Sequence, residues 1–196
     1  MNIENIRKNV DQFMNLLAKE GLIKVTGFDE KTKMIQVNSN KRHELGLSSF
    51  KKIIDADKKY KIFTDDEFSL LIFKFALSNL NEEFELVKIV LKAILNSDEI
   101  SFNERTTYGD LLGKCFDKLH YDKIRPYMRD VFLIDLRNAF THLKYEINGN
   151  VFSYHNLNGD LVKFNDEELK NISREYIETT TTMLAFLENH RIKQKK

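Results

Sequence analysis

The sequence predicts a mainly α-helical protein with a small antiparallel β-meander inserted before the last helix. Apolar residues recur at intervals of three and four over much of the 196-residue chain, which is the period of one face of an α-helix. Helix-capping sequences begin at Thr64, Thr107 and Asn165. Asn-Gly pairs at Asn148 and Asn158 separate short β-prone runs, a pattern typical of hairpin turns.

Composition restricts the class of protein. With 42% hydrophobic and 31% charged residues, the chain is typical of a globular protein with one core. Cys115 is the only cysteine, which excludes an internal disulfide and a thiolate-rich zinc site. No apolar run approaches the roughly 18 residues of a membrane span, and residues 1–20 are charged and amphipathic rather than signal-like. We therefore expect a cytoplasmic protein that makes no membrane contact.

Charge is unevenly distributed along the chain. The formal net charge is +1, but residues 1–61 carry thirteen Lys or Arg against eight Asp or Glu. Lys51, Lys52, Lys58 and Lys59 are candidates for contact with an RNA backbone. The alternative is that these charges form an ordinary solvated face.

The first third of the chain predicts a helix followed by a hairpin. An amphipathic helix over residues 3–20 is ended by Gly21. Residues 22–26 and 34–37 are short β-prone runs around a charged turn, and they predict a β-hairpin. Residues 41–61 have a weak pattern that indicates a short helix or a loop.

The remainder predicts a helical bundle with a late β-insertion. Two antiparallel helices follow Thr64, with a break at residues 79–81, and Thr107 with Asp110 caps a third helix. The sole proline, Pro126, suits the first turn of a fourth helix that ends near Lys144. Three strands are predicted at residues 145–147, 151–155 and 161–164. A final helix is predicted at 169–190 and a basic tail at 191–196. The chain is thus divided into an N-terminal part, 1–61, a helical domain, 64–190, and the tail, 191–196.

The predicted fourth helix carries the polar groups best suited to chemistry. At about 100° per residue, Asp135, Asn138 and His142 share an arc of roughly 60° beside the apolar stripe, whereas Arg137 lies roughly 140° from His142. Arg137 must therefore swing toward the others, or a second subunit must supply the facing groups. The apolar stripe itself consists of Met128, Phe132, Leu136, Phe140 and Leu143.

The helix order, the late hairpin and the sequence from Arg137 to His142 resemble the HEPN superfamily over residues 64–190. Many members of that family are endoribonucleases in which an arginine is followed by a polar residue and, after three more residues, a histidine. Arg137, Asn138 and His142 match those three positions. The resemblance implies a HEPN-like bundle of four to five helices, to which residues 1–61 add a helix and a hairpin.

The resemblance also implies a reaction. Metal-independent cleavage of single-stranded RNA would occur in a cleft between two copies of the domain, and it would leave a 2′,3′-cyclic phosphate and a 5′-hydroxyl. His142 would transfer protons near neutral pH, and Arg137 would hold the phosphate. Asn138 would orient His142 or a phosphate oxygen, with Asp135 as a candidate support for His142. Toxin or phage-defence biology, with a homodimer and an antitoxin or defence-system partner, fits the same resemblance.

Other interpretations remain open. Arg137 could pair with Asp135 or Asp130 on the surface while His142 merely ends the helix. In the family's toxins with nucleotidyltransferase antitoxins, a tyrosine stands two positions after the histidine, whereas Tyr145 stands three positions after His142. That form of antitoxin control is therefore in doubt.

No cofactor or metal site is expected, because His43, His120, His155 and His190 lack metal-ligand spacing. These histidines are interpreted as ordinary surface or hairpin residues. The competing hypothesis for function is a non-catalytic HEPN-like module that binds RNA or a protein, or a structural subunit of a larger complex.

Overall fold

The protein is mainly helical, with a three-stranded sheet directly before the last helix, as predicted. The computed structural model describes residues 3–24, 30–119, 128 and 131–194. Within these residues, no helix combines the length and the apolar character needed to cross a bilayer. In chain order the elements are α1 (Ile3–Lys19), α2 (Glu30–Tyr60), α3 (Asp65–Ile94), α4 (Tyr108–Leu119), α5 (Ile134–Thr141), β1 (Tyr145–Asn148), β2 (Val151–His155), β3 (Leu161–Asn165) and α6 (Asp166–Gln194).

The predicted N-terminal helix is confirmed as α1, and it belongs to the main core. Val10, Phe13 and Leu17 are fully buried, and α1 packs chiefly against α6. Phe13 also meets the ring of Phe132 edge-on at a centroid distance of 5.0 Å. Burial of aromatic surface of this kind contributes a large part of core stability.

The predicted hairpin after α1 is wrong. Residues 34–37 lie inside the 31-residue helix α2, and residues 25 and 26 fall outside the described part of the chain. Ile23 makes only an isolated antiparallel bridge to Leu95. The turn sequence Asp29-Glu30-Lys31-Thr32 lacks the Asn-Gly type of pair that a tight turn needs, and Glu, Lys and Met favour helix. Residues 41–60 likewise belong to α2 rather than to a loop or a separate short helix.

The predicted break at residues 79–81 is also wrong, because α3 runs without interruption from Asp65 to Ile94. Asn79 and Asn81 each destabilise a helix by about 0.5 kcal/mol relative to alanine. Leu80 between them is 1% exposed. Its burial stabilises the fold by about 2 kcal/mol, which is more than the asparagines cost.

The predicted helix caps are confirmed by their hydrogen bonds. The backbone N–H of Glu67 donates to Thr64 Oγ1 at 3.3 Å, and the N–H of Thr64 donates to Glu67 Oε2 at 2.9 Å. This reciprocal pair satisfies two otherwise unpaired N–H groups at the start of α3. Asn165 and Glu168 form the same reciprocal pair at α6. At α4 the backbone N–H of Asp110 donates to Thr107 Oγ1, and the Thr107 hydroxyl donates to the Asp110 carboxylate.

The helix that carries the polar motif is shorter than predicted. It spans only Ile134–Thr141, since Leu133 has a φ of +47° that breaks the preceding turn. Pro126, the predicted start, lies outside the described residues. Met128, Phe132 and Leu136 are buried as predicted and Phe140 is half-buried, but Leu143 is 76% exposed, so its predicted core position is wrong.

The predicted β-meander is confirmed with the strand order β1-β2-β3. Asn148 pairs with Val151, so Gly149 and Asn150 form a two-residue turn. Gly149 has a φ of +57°, which glycine adopts without strain. Phe152 is fully buried and approaches Phe73 of α3 at 6.1 Å between ring centroids, which fixes the sheet on the helices.

Two buried polar pairs join α3, α4 and α6. The hydroxyls of Tyr108 and Tyr176 lie 2.5 Å apart, and Thr180 Oγ1 donates to Glu83 Oε2 at 2.7 Å. Burial raises the pKa of the Glu83 carboxyl, although the hydrogen bond from Thr180 acts in the opposite direction. The folded protein therefore holds this proton more strongly than the unfolded chain does.

The substitution Glu83→Gln should make the free energy of unfolding less sensitive to pH. Because the folded pKa is raised, wild-type stability falls as pH rises from 4.5 through that raised value. Glutamine keeps an oxygen for Thr180 and does not titrate. Urea unfolding at pH 5 and pH 8 should show a smaller decrease for Glu83→Gln than for the wild type or the exposed-site control Glu104→Gln. An equal decrease in all three proteins would contradict this assignment.

Candidate active site

The three motif residues line one open pocket of about 910 Å³. Its walls come from the first half of α4, from α5 with the residues that follow it, and from the turn between β2 and β3. Arg137, Asn138 and His142 therefore reach a common space within a single chain. Other groups that line it are Asp110, Asp135, Lys144, His155 and Asn156.

The end of α5 places His142 at the mouth of this pocket. The backbone N–H of His142 donates to the carbonyl of Asn138 at 3.0 Å, and the N–H of Lys144 donates to that of Ala139 at 2.8 Å. Leu143 between them has a φ of +53°. This is the geometry of a Schellman helix end, in which a left-handed residue turns the chain away. His142 therefore caps the helix with an exposed side chain.

Arg137 is held very differently, because its side chain is only 8% exposed. The guanidinium carbon lies 5.9 Å from the ring centroid of Tyr108. One terminal nitrogen, Nη1, makes a long 3.4 Å hydrogen bond to Asn138 Oδ1, and the buried Nε has no hydrogen-bond partner. Arg137 makes no ion pair with a carboxylate of the described residues, including Asp135; Asp130 lies outside them.

Among the described residues no carboxylate pairs with this buried guanidinium, and its burial is therefore energetically unfavourable. Removing a charge from water costs several kcal/mol unless an opposite charge or hydrogen bonds offset the cost. The face of Tyr108 and the oxygen of Asn138 offset only a part. An anion that enters the pocket would supply what Arg137 lacks, and a phosphate oxygen matches its fork of donors.

Tyr108 is fixed beneath Arg137 by two hydrogen bonds. Its hydroxyl donates to the carbonyl of Phe132 at 2.7 Å, so the proton in the 2.5 Å contact with Tyr176 must come from Tyr176. Burial raises the pKa of Tyr108 far above its ordinary value, although Tyr176 and Arg137 act in the opposite direction. Tyr108 is therefore a neutral, immobile platform for the guanidinium.

Asp135 and Asn138 do not orient the imidazole of His142 as expected. That imidazole makes no hydrogen bond with any residue that the structure describes. Asn138 Oδ1 accepts from Arg137, and Asp135 Oδ2 accepts the backbone N–H of Leu157 at 3.5 Å. Asp135 thus connects α5 to the turn between β2 and β3.

Sequence reasoning missed two pocket residues, Lys144 and His155. Lys144 is exposed where the chain leaves α5 and adds a second cation, while His155 lines the same pocket from the last position of β2. His155 stands directly before a turn-forming Asn-Leu-Asn-Gly sequence, but no pattern in the sequence says which wall that turn faces. Lys51, Lys52, Lys58 and Lys59 are exposed on α2 and do not line this pocket.

A metal is not indicated by the donor set. Among the described residues, no group of three or more His, Cys, Asp or Glu side chains is arranged to hold a metal ion. Burial raises the pKa of the Cys115 thiol to about 12, so this side chain is a core residue rather than a nucleophile at neutral pH.

The substitution Arg137→Met should raise the free energy of unfolding by on the order of 1 kcal/mol, because it removes a buried cation that has no anion. Inorganic phosphate should raise the melting temperature of the wild type through binding to the folded state, and this increase should be absent in Arg137→Met. The exposed Arg105 provides the matched control Arg105→Met, for which the phosphate response should persist. Loss of stability in Arg137→Met, with an unchanged response to phosphate, would show that Arg137 is purely structural.

Comparison with protein-family models, with curated proteins and with solved structures found no match for this chain. The resemblance to the HEPN superfamily therefore remains a hypothesis that rests on the motif and on the order of the elements. What the site can do has to be inferred from the pocket itself.

Proposed function

We propose that this protein is a metal-independent endoribonuclease that cleaves single-stranded RNA. The observation that carries the proposal is the buried guanidinium of Arg137, which has no carboxylate partner among the described residues and lines the same open pocket as Asn138 and His142. An anion-binding arginine beside an accessible imidazole is suited to chemistry on a phosphodiester.

The proposed reaction is attack of the ribose 2′-hydroxyl on the adjacent phosphorus. The imidazole of His142 transfers a proton, because histidine is the side chain most often used for proton transfer near neutral pH. Arg137 binds the non-bridging oxygens and stabilises the charge that grows on them. The products are a 2′,3′-cyclic phosphate and a 5′-hydroxyl. DNA lacks the nucleophile and does not react by this route.

The resemblance of the sequence from Arg137 to His142 to the HEPN superfamily brings the further proposal of a homodimer with two motifs across a shared cleft. A role in toxin or phage-defence biology and an antitoxin-like or defence-system partner belong to the same proposal. Arg137, Asn138 and His142 of a single chain already line one pocket, without a second copy. The mass of the protein in solution distinguishes a dimer from a monomer.

A second candidate function is non-catalytic binding of RNA through α2. Lys51, Lys52, Lys58 and Lys59 are exposed there and lie away from the pocket. Phosphate contacts from such a row would be sequence-independent and sensitive to salt. In this case a gel shift with intact RNA would be weakened by neutralising the four lysines and unaltered by His142→Gln.

Incubation of the protein with single-stranded RNA and EDTA should give fragments that end in 2′,3′-cyclic phosphate, and the matching DNA should stay intact. His142→Gln should reduce the rate by about 10²- to 10⁴-fold, as expected for loss of a proton-transfer group. Arg137→Gln should reduce it by a similar factor, about 10²- to 10³-fold, through loss of charge stabilisation. End-labelled RNA on a denaturing gel measures both effects.

The matched control is Arg105→Gln, since Arg105 is an exposed arginine outside the pocket. Its rate should equal that of the wild type. Full activity of both His142→Gln and Arg137→Gln would refute the proposed function, as would dependence of cleavage on a divalent metal.

A further inference from the structure

His155 lines the same pocket as His142, although 12 residues of chain, strand β1 among them, separate the two histidines. It is the last residue of β2 and pairs with Leu161 of β3. Its side chain is exposed, and it makes no hydrogen bond or ion pair with a described residue. The pocket therefore contains a second accessible imidazole with no structural task.

The position of His155 follows from the alternation of β2. Phe152 and Tyr154 are buried, and side chains along a strand alternate between its two faces. Residue 155 therefore points away from the core while its neighbours hold the strand in place. His155 thus lines the pocket from the end of a strand whose neighbouring residues are packed.

The turn after His155 is braced on both sides. Within the turn, Asn156 Oδ1 accepts the backbone N–H groups of Asn158 and Asp160 at 3.0 and 2.9 Å. From outside, Asp135 of α5 accepts the N–H of Leu157 at 3.5 Å. The wall that carries His155 is thereby tied directly to the helix that carries Arg137 and Asn138.

Cleavage by a 2′-hydroxyl requires two proton transfers. As the bond between the 2′-oxygen and phosphorus forms, a base removes the hydroxyl proton. As the bond between phosphorus and the 5′-oxygen breaks, an acid donates a proton to that oxygen. One imidazole in its neutral form and one in its protonated form supply both transfers without a metal.

We propose that His142 and His155 are the two proton-transfer groups of this site, so that one chain holds a complete set for RNA cleavage. The inference rests on the proposed function and extends it to a residue outside the motif. Arg137 and Lys144 supply positive charge in the pocket, and Asp110 and Asp135 supply negative charge.

The first test is the pH profile of kcat/KM for a uridine-containing dinucleotide. The wild type should give a bell-shaped profile, since one histidine must be neutral and the other protonated. His155→Gln should lower kcat/KM by about 10²- to 10⁴-fold and remove one limb of the bell. The matched control Asn158→Gln, on the same turn but outside the pocket, should retain both limbs.

The second test uses the same dinucleotide with sulfur in place of the bridging 5′-oxygen, because a thiolate leaves without being protonated. Of the two variants His142→Gln and His155→Gln, the one that has lost the acid should regain activity on this substrate. The variant that has lost the base should remain inactive. Restoration in neither variant would overturn the assignment of the two roles.

The outcomes separate this inference from the proposed function. If the wild type cleaves RNA and His142→Gln does not, while His155→Gln keeps the wild-type rate and both limbs, the role of His155 is refuted and the endoribonuclease stands. If the wild type does not cleave RNA, both fall together. Circular dichroism of each variant verifies that the fold is intact, so that a lost rate reports on chemistry.

Discussion

The site depends on the guanidinium of Arg137, whose hydrogen bonds are not all satisfied by the described residues. The guanidinium of Arg137 is buried over the ring of Tyr108, with a long contact to Asn138 and an unpartnered Nε. A protein of this size could bury an apolar side chain there and gain stability. Because no carboxylate of the described residues pairs with this cation, its burial costs stability, and such a cost is common at binding or catalytic sites.

The long helices make that arrangement possible. Tyr108 at the start of α4 is locked by Tyr176 of α6 and by the carbonyl of Phe132, and Phe84 of α3 packs against both tyrosine rings at about 5 Å. The arginine thus rests on a platform built from three helices. In contrast, α5 is short and bounded by left-handed residues at both ends, which fixes where His142 emerges.

Local signals in the sequence predicted local structure well. The capping residues at Thr64 and Asn165 and the glycine turns of the meander act over three or four residues, so their patterns are sufficient. The hairpin at 22–37 failed because its turn sequence was weak and its residues favour helix. The break at 79–81 failed because burial of Leu80 outweighed the weak preference of its two asparagine neighbours. Neither the burial of Arg137 nor the position of His155 at the pocket could be predicted, because both depend on contacts between elements that are distant in the chain.

The most direct measurement follows the side-chain Nε–H of Arg137 by nitrogen-15 NMR during a titration with uridine 3′-monophosphate. If the buried guanidinium exists to bind a phosphate, this resonance should shift and saturate together with the ring protons of His142, while the exposed Arg105 should stay unchanged. An Arg137 resonance that does not respond at saturating nucleotide, or that responds no more than Arg105, would contradict the assignment of this pocket as a phosphate site.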